Sequence, residues 1–287
     1  MNSSYIHQLL ILKFDSFTWI EGSVLKGSKG HIGLSSLLRT FLNFFIFPKT
    51  NSHRTIQINK SNYSIKTDHY GKFHLKLSEN KIDQICYENY TLNESQLESH
   101  TFDYSTERPL VISDIDDTLI KSFSTNLWKR LKTLFFVKPK KRKGINYSQD
   151  LIEYLDNKGA QFIFLSRSEE NLLPLIKGIF SYLGYPNGLF FLSPWKSFSN
   201  VISRKSKKLH KEHHLDFIVS NTRSKLILIG DDTQKDAQIY LDLKDKYPRR
   251  ISHIFIHSIN PKNKYIPSPL IHYFKEDQEP NFSQLQL

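Results

Sequence analysis

Residues 110–118 read Leu-Val-Ile-Ser-Asp-Ile-Asp-Asp-Thr, an apolar run that passes directly into three carboxylates. A short, continuous run of branched apolar residues is typical of a strand buried on both faces of a parallel sheet. A carboxylate at the end of such a strand is held rigidly, and one two residues later can turn toward the same point. The stretch therefore predicts a strand over 110–113 that presents Asp114 and Asp116 as a pair, one a nucleophile and metal ligand, the other a general acid and base.

The sequence after this strand alternates short apolar runs with amphipathic segments. Further strands are predicted over 161–165, 189–192, 225–229 and 251–256, with helices over 148–158, 169–183, 207–219 and 234–245. Strands separated by helices imply an α/β fold whose parallel sheet is covered on both faces. Ligands of such sheets bind beyond the carboxyl ends of the strands.

Polar residues follow two more of the predicted strands. Ser166 follows strand 161–165, and its hydroxyl can hold a phosphoryl oxygen. Asp231 and Asp236 follow strand 225–229, within the stretch Gly-Asp-Asp-Thr-Gln-Lys-Asp. Carboxylate oxygens with open coordination positions suit Mg²⁺, which retains waters and takes substrate phosphate oxygens. The strand ends therefore predict a site for a metal ion and an anionic substrate.

This site also needs a cation from the protein, because a carboxylate nucleophile repels a phosphate dianion. Lys211 is our choice, since it lies about one helix length before strand 225–229 in a helix that leads back to the sheet. Lys207 and Lys208 are the alternatives. The neighbouring histidines have no evident third ligand, so we interpret them as a solvated face rather than a metal site: His210, His213 and His214.

In this order the motifs resemble the haloacid dehalogenase superfamily, and more closely the catalytic domain of the actin-patch-type phosphatidate phosphatases. The resemblance covers roughly residues 108–259 and rests on Ser113-Asp114-Ile115-Asp116-Asp117-Thr118, Pro186-Asn187-Gly188, His210-Lys211, Leu228-Ile229-Gly230-Asp231 and Gln234-Lys235-Asp236. It implies a three-layer Rossmann-like haloacid dehalogenase fold. It also implies a Mg²⁺-dependent phosphatase that forms an aspartyl phosphate and hydrolyses phosphatidate to diacylglycerol, or acts on a related anionic lipid phosphate.

The resemblance implies a role for each matched residue. Asp114 is expected to attack phosphorus, and Asp116 to protonate the leaving oxygen and then activate water. Thr118 is expected to shape the loop. The residues expected to bind the substrate are Ser166, Arg167 and Lys211. Those expected to hold Mg²⁺ are Asp114, Asp116, Asp231 and Asp236, with support of Lys211 as an alternative role for Asp236.

The chain departs from the family pattern at two places. Residues 166–170 read Ser-Arg-Ser-Glu-Glu where the pattern has Ser-x-Ser-Pro-Trp, and His257 stands in place of an arginine near the last predicted strand. Neither change removes a core catalytic group. Both can alter which head group or leaving group is accepted, so the substrate is less firmly predicted than the reaction.

The first part of the chain predicts a smaller β-rich domain. Strands are expected over 6–14, 19–25, 55–59, 63–67 and 72–77, with a turn at 69–71, a helix over 34–47 and a polar linker over 78–107. The expected organisation is thus a β-rich domain with its linker over 1–105, a phosphatase domain over 106–275 and a polar tail over 276–287.

Charge bears on the partner, because the formal net charge is +12 and residues 121–143 hold nine basic residues and no acid. In the implied fold this segment is a flap over the active site, suited to transient contact with an anionic membrane surface. A nucleic-acid groove is the alternative.

No apolar run is long enough to span a membrane, and no secretory signal opens the chain. The single cysteine, Cys86, cannot form a disulfide within the chain.

We therefore expect a cytoplasmic protein, peripheral at the membrane. Two hypotheses compete with a lipid phosphatase: the same chemistry on a nucleic-acid end or a soluble phosphate monoester, and a non-catalytic binding module.

Overall fold

The computed structural model of the chain describes residues 4–26, 52–78, 81–88, 90–121, 143–193, 207–233, 235–260, 265–276, 278–282 and 285. These form two compact units, one up to Thr106 and one from Glu107 onward. The predicted helix over 34–47 and all but the ends of the predicted basic flap lie outside the described residues. The domain limits 1–105, 106–275 and 276–287 stay a prediction.

The first unit contains two four-stranded sheets. Its elements are β1 (Ser4–Lys13), β2 (Thr18–Lys26), β3 (His53–Ile58), β4 (Ser61–Lys66), β5 (Lys72–Leu77), β6 (Gln84–Tyr87), β7 (Tyr90–Asn93), α1 (Glu94–Leu97) and β8 (Thr101–Asp103). One sheet has the order β5-β2-β1-β8, antiparallel except for the β1–β8 pair, and the other has the antiparallel order β4-β3-β6-β7. Side chains from both sheets, including Ile20 and Ile56, share one buried core.

The five predicted strands and the predicted turn of this unit are present. At the turn, Gly71 has a φ of +75°, a left-handed conformation that glycine adopts without strain. The carboxylate of Asp68 accepts hydrogen bonds from the backbone N–H groups of Tyr70 and Lys72. This Asp side chain therefore fixes the turn between β4 and β5.

The prediction of a linker over 78–107 is wrong, because this segment contains β6, β7, α1 and β8. Ile85 and Leu92 are buried in the core of the unit. The strands are only three or four residues long, and the polar residues between them outweigh their alternating apolar positions. A composition average over thirty residues therefore conceals them.

The second unit has the predicted alternation of strands and helices. Its elements are β9 (Leu110–Asp114), α2 (Asn146–Asn157), β10 (Gln161–Glu169), α3 (Leu173–Leu183), β11 (Leu189–Ser193), α4 (Lys207–Asn221), β12 (Leu226–Asp231), α5 (Asp236–Lys246), β13 (Ile251–His257) and β14 (Ile271–Phe274). Within the described residues, six parallel strands have the order β11-β10-β9-β12-β13-β14. The predicted α/β class with a parallel sheet is confirmed.

The strand order reverses between β9 and β12. These two strands are neighbours in the sheet although two other strands lie between them in the sequence. The chain therefore builds the sheet outward in opposite directions from this pair, and ligand crevices of open parallel sheets form at such a reversal.

Helices of this unit contact each other in two pairs. Gln149 of α2 hydrogen-bonds the carbonyl of Leu183 at the end of α3, and Asp216 of α4 pairs with Lys246 of α5. Crossovers between parallel strands are almost always right-handed, which would put the two pairs on opposite faces. The three-layer haloacid dehalogenase arrangement stays a prediction.

Two predictions for this unit need correction: where one helix begins, and which strand is the last. The helix predicted over 169–183 begins later, because β10 continues to Glu169, a 3₁₀ turn follows over Glu170–Leu172, and Pro174 lies in the first turn of α3. The strand predicted over 251–256 is not the last one, since β14 pairs with it in parallel. Among the described residues, no helix is both long and apolar enough to cross a membrane.

Arg250 links the end of α4 to the sheet, and its loss should destabilise this unit. Its guanidinium donates to the carbonyls of Val219 and Ser224 and to the hydroxyl of Thr222, at 2.8 to 3.1 Å. We expect Arg250→Ala to lower the free energy of unfolding by about 2 kcal/mol, because partly buried acceptors lose a charged donor. Urea unfolding measures this, with the exposed Arg249→Ala as the matched control. Equal losses in both variants would contradict a specific role for Arg250.

Candidate active site

Three buried carboxylates meet at the carboxyl edge of the central strands. Asp114 is the last residue of β9, Asp231 the last of β12, and Asp236 the first of α5. Asp114 is 2% exposed and the other two are fully buried. One oxygen of each carboxylate lies within 4.8 Å of the others, a group that can bind a metal ion. The structure thus brings together three of the four residues predicted as metal ligands.

Gly230 allows Asp236 to reach this cluster. A Cβ atom at position 230 would lie 2.4 Å from Asp236 Oδ2 and 2.7 Å from Asp236 Cβ, closer than any side chain can pack. The carboxylate of Asp231 is oriented by Thr233, whose backbone N–H donates to Oδ1 at 2.5 Å. Its Oδ2 is buried and has no hydrogen-bond partner among the described residues. The close packing of Asp236 against residue 230 therefore explains why a glycine stands before Asp231.

Lys211 of α4 enters the same cluster, as predicted from its place in the sequence. Its Nζ lies 2.7 Å from Asp236 Oδ1 and 3.8 Å from Asp114 Oδ2. The short contact is an ion pair between two buried side chains. Nζ also lies 5.4 Å from the ring centre of Tyr240. The side chains of the alternatives, Lys207 and Lys208, lie outside the described part of the chain.

The electrostatics of the cluster favour an additional cation. Burial raises the pKa of Asp114 well above its ordinary value, although the nearby Lys211 opposes this, and the other carboxylates raise it further. Burial, with Asp236 adding to it, raises the pKa of Asp231 to about 7. Burial lowers the pKa of Lys211, but Asp114 and Asp236 outweigh it, so the pKa is raised and the lysine stays charged. One ammonium faces three carboxylates here, and a divalent cation would balance the remaining charge.

Asp116 is not part of this group of three carboxylates, and two serines of β10 hold it. Its Oδ2 accepts hydrogen bonds from the hydroxyls of Ser166 and Ser168, each at 2.9 Å. The predicted pairing of Asp116 with Asp114 as general acid and nucleophile stays a prediction. The metal role of Asp116 stays a prediction.

The loop that carries Asp116 is shaped by backbone hydrogen bonds and a left-handed residue. Asp117 has a φ of +62°, and its carbonyl accepts a hydrogen bond from His257 Nδ1 at 2.7 Å. Thr118 is fully buried, and its carbonyl accepts from the hydroxyl of Ser148 at 2.6 Å. His257, which departs from the family pattern, therefore holds the end of β13 against the loop that carries Asp116.

A cavity opens next to Asp114. Its lining residues are Asp114, Leu165, Ser166, Arg167, Phe191, Lys211 and His214. The three residues predicted to bind substrate thus line one cavity with the predicted nucleophile. Sequence reasoning missed Phe191 and His214, whose rings stack with centroids 4.4 Å apart. The spacing of His214, three residues after Lys211 on the same helix, is the signal that places both on one face.

Residues 109–258 match the family model described as phosphatidate phosphatase APP1, catalytic domain. The chain belongs to this family. Its membership confirms the resemblance seen in the sequence, and it classes the second unit as a phosphatidate phosphatase-like phosphoric monoester hydrolase. Placement in the haloacid dehalogenase superfamily stays a prediction.

Individual relatives are more distant. An uncharacterized protein of Schizosaccharomyces pombe is 26% identical over 159 residues, a match that covers 52% of this chain and 25% of that protein. The chain therefore spans about a quarter of the length of this curated relative.

Two solved structures show weaker likeness. A class C acid phosphatase of Bacillus anthracis with tungstate bound is similar at a TM-score of 0.36, with 15% identity over 51% of this chain and 66% of that one. A ferredoxin-NADP+ reductase of Plasmodium falciparum has a TM-score of 0.20, with 12% identity over 90% of this chain and 94% of that one. TM-scores this low support no conclusion about fold or function.

Proposed function

We propose that this protein is a Mg²⁺-dependent phosphatase of the haloacid dehalogenase type that hydrolyses phosphatidate or a related anionic lipid phosphate. The observation that carries the proposal is the cluster of Asp114, Asp231, Asp236 and Lys211 at the reversal of strand order. It lies within the part of the chain that matches the phosphatidate phosphatase family. The lipid substrate rests on that family.

The cluster fits a hard divalent cation. Asp114, Asp231 and Asp236 would hold it, since carboxylate oxygens are the ligands that Mg²⁺ prefers. Asp114 Oδ2 and Asp231 Oδ2 are buried without a hydrogen-bond partner among the described residues. Asp236 Oδ1 is buried as well and lies 2.7 Å from Lys211 Nζ. When bound, Mg²⁺ supplies positive charge that offsets repulsion between substrate and nucleophile and stabilises charge on the transferring group.

The protein's residues would then carry out two successive displacement reactions at phosphorus. In the first, a carboxylate oxygen of Asp114 attacks, the phosphorus–ester oxygen bond breaks, and the leaving oxygen takes that electron pair and a proton from Asp116. In the second, Asp116 accepts a proton from water, the water oxygen attacks phosphorus, and the bond to Asp114 breaks, releasing phosphate. Ser166, Arg167 and Lys211 bind the phosphoryl oxygens in both steps. Positioning and charge neutralisation account for most of the catalysis of such transfers.

The proposed setting is the cytoplasmic face of a membrane. The basic segment 121–143 would contact anionic lipid there, at roughly 1 kcal/mol for each basic residue near the surface. Phosphatidate is the phosphate monoester of diacylglycerol, and its two acyl chains keep its head group at such a surface. This setting would explain why basic residues cluster in the sequence shortly after Asp114 and Asp116.

Phosphate release in the presence of Mg²⁺ tests the substrate. Phosphatidate in mixed micelles, a soluble aryl phosphate and a 3′-phosphorylated oligonucleotide are compared, with the Asp114→Asn protein as the blank. We expect release mainly from phosphatidate, rising with the anionic fraction of the micelle surface. Release from the soluble ester or the oligonucleotide alone would keep the reaction and discard the lipid. No Asp114-dependent release from any of them would overturn the proposal.

A further inference from the structure

Two serine hydroxyls converge on a single oxygen of Asp116. Ser166 Oγ and Ser168 Oγ both donate to Asp116 Oδ2 at 2.9 Å, and the backbone N–H of Ser168 donates to Ser166 Oγ at 2.9 Å. Both serines are buried. Residues two apart on a strand face the same side, and the register of β10 against β11 shifts between Ser166 and Glu169. Such irregularities next to active sites re-aim side chains.

This arrangement makes the two oxygens of Asp116 different. A carboxylate oxygen has about two lone-pair sites, so the two hydroxyls fill Oδ2. In the part of the chain that the structure describes, no hydrogen bond reaches Oδ1. The proton that Asp116 transfers in the proposed reaction therefore belongs on Oδ1, while Oδ2 holds the group in place.

The two serines are not equivalent toward the substrate. Ser166 lines the cavity with Asp114 and Lys211, and Ser168 is not among its lining residues. A hydroxyl has one proton to donate, so Ser166 cannot hold Asp116 and a phosphoryl oxygen with the same proton.

We infer that Ser168 is a positioning residue: it keeps Asp116 in place while Ser166 turns to the substrate. This inference rests on the proposed function. In the step concerned, Asp114 attacks phosphorus, the ester bond breaks, and the leaving oxygen takes its electron pair and the proton from Asp116 Oδ1. Correct aim of Oδ1 matters most when the leaving oxygen is strongly basic and needs that proton.

The test compares kcat/KM of Ser168→Ala and wild type on two substrates that differ in their leaving group. An alkyl phosphate has a basic leaving oxygen, and 4-nitrophenyl phosphate has one that departs without a proton. We expect kcat/KM for the alkyl ester to fall about tenfold or more, since general acids contribute about 10²- to 10⁴-fold. The value for the aryl ester should stay within about twofold. This ratio of effects is a signature that general loosening of the structure would not produce.

Further variants separate the alternatives. Ser168→Thr keeps the hydroxyl and should restore the alkyl rate, and Ser168→Cys keeps the shape with a weaker donor and should lower it. Ser166→Ala should lower kcat/KM for the alkyl and the aryl ester alike, because Ser166 binds the phosphoryl group of both substrates. Ser252→Ala is the matched control, since Ser252 donates to the Leu226 carbonyl at the opposite end of the sheet. It should leave the ratio unchanged.

Three results would overturn the inference: equal losses on both esters in Ser168→Ala, an unchanged alkyl rate, or no rescue by Ser168→Thr. Thermal unfolding of each variant identifies any loss of folded protein, and Ser168→Cys carries the test if the alanine variant unfolds. Failure of the proposed function looks different. In that case the Asp114→Asn protein would hydrolyse both esters as well as wild type does.

Discussion

The Asp114→Asn protein will release phosphate at least about 1,000-fold more slowly than wild type, a loss typical of removing a nucleophile. In the same variant we expect the metal-free protein to unfold at a higher urea concentration than wild type. The amide has nearly the volume of the carboxylate, so the cluster keeps its packing. What changes is the nucleophilic oxygen and its charge.

The gain in stability follows from the surroundings of Asp114. Burial and the carboxylates of Asp236, Asp231 and Asp116 raise its pKa, and Lys211 opposes them. Ionisation of Asp114 therefore costs more free energy in the folded, metal-free protein than in the unfolded chain, and a neutral amide removes that penalty. Lys211 still has Asp236 at 2.7 Å as its ion-pair partner. Loss of activity together with a gain of stability is characteristic of a residue selected for reaction rather than for folding.

Initial rates of phosphate release and urea unfolding in chelator measure the two effects. Asp117→Asn is the matched control, because it changes a carboxylate on the same loop at a left-handed residue that Asn tolerates. We expect it to change the rate by less than about tenfold. An Asp114→Asn protein that keeps its activity would remove Asp114 from the reaction. One that is less stable than wild type in chelator would contradict the electrostatic account of the cluster.

The positions of the acidic residues could be predicted because they depend on the shortest-range signals in the sequence. Apolar runs define β9 and β12, and in a parallel sheet all strands end at the same edge. Asp114 and Asp231 directly follow such runs, so their proximity needs only that the two strands be neighbours. Lys211 needed a helix of the correct length, and the need for a cation beside the carboxylates indicated its role.

Other parts of the site depend on contacts that have no local pattern. Ser168 faces Asp116 because β10 continues past its apolar run with an irregular register. His214 lines the cavity because α4 packs beside β11, where Phe191 stacks on it. The departure at His257 was visible in the sequence, but its hydrogen bond to the carbonyl of Asp117 joins residues 140 positions apart. Such contacts follow from tertiary packing, which periodicity does not encode.

Removal of divalent cations should change both the stability of this protein and the pH dependence of that stability. The pKa of Asp231 is about 7 in the folded protein against an ordinary value of 3.8, chiefly because of burial. Asp114 is shifted in the same direction. A raised pKa means that the fold favours the protonated acid, so this stabilisation is complete below about pH 4 and is lost as the pH rises through about 7. In chelator the unfolding temperature should therefore fall between about pH 5 and about pH 7.5.

Mg²⁺ should oppose that fall, since it binds the ionised carboxylates and only the folded state presents them together. At a concentration about 100 times its dissociation constant, a ligand of the folded state adds about 2.7 kcal/mol. For a unit of this size that corresponds to roughly 5–10 °C in unfolding temperature. The increase should be larger at the upper end of the pH range, because fewer protons compete for the same oxygens.

Thermal unfolding with chelator or excess Mg²⁺, at both ends of that pH range, measures these effects without reference to activity. Asp231→Asn removes a carboxyl group with a raised pKa and, with it, a proposed metal ligand. It should therefore flatten the pH dependence of the unfolding temperature in chelator and reduce the increase that Mg²⁺ produces. Asp156→Asn, an exposed aspartate on α2, should do neither. If Mg²⁺ does not change the unfolding temperature of the wild-type protein at the upper pH, then Asp114, Asp231 and Asp236 are not a metal site. The charge excess around Lys211 would then be relieved by protons alone, which would leave Asp114 without the ionised form that an attack on phosphorus requires.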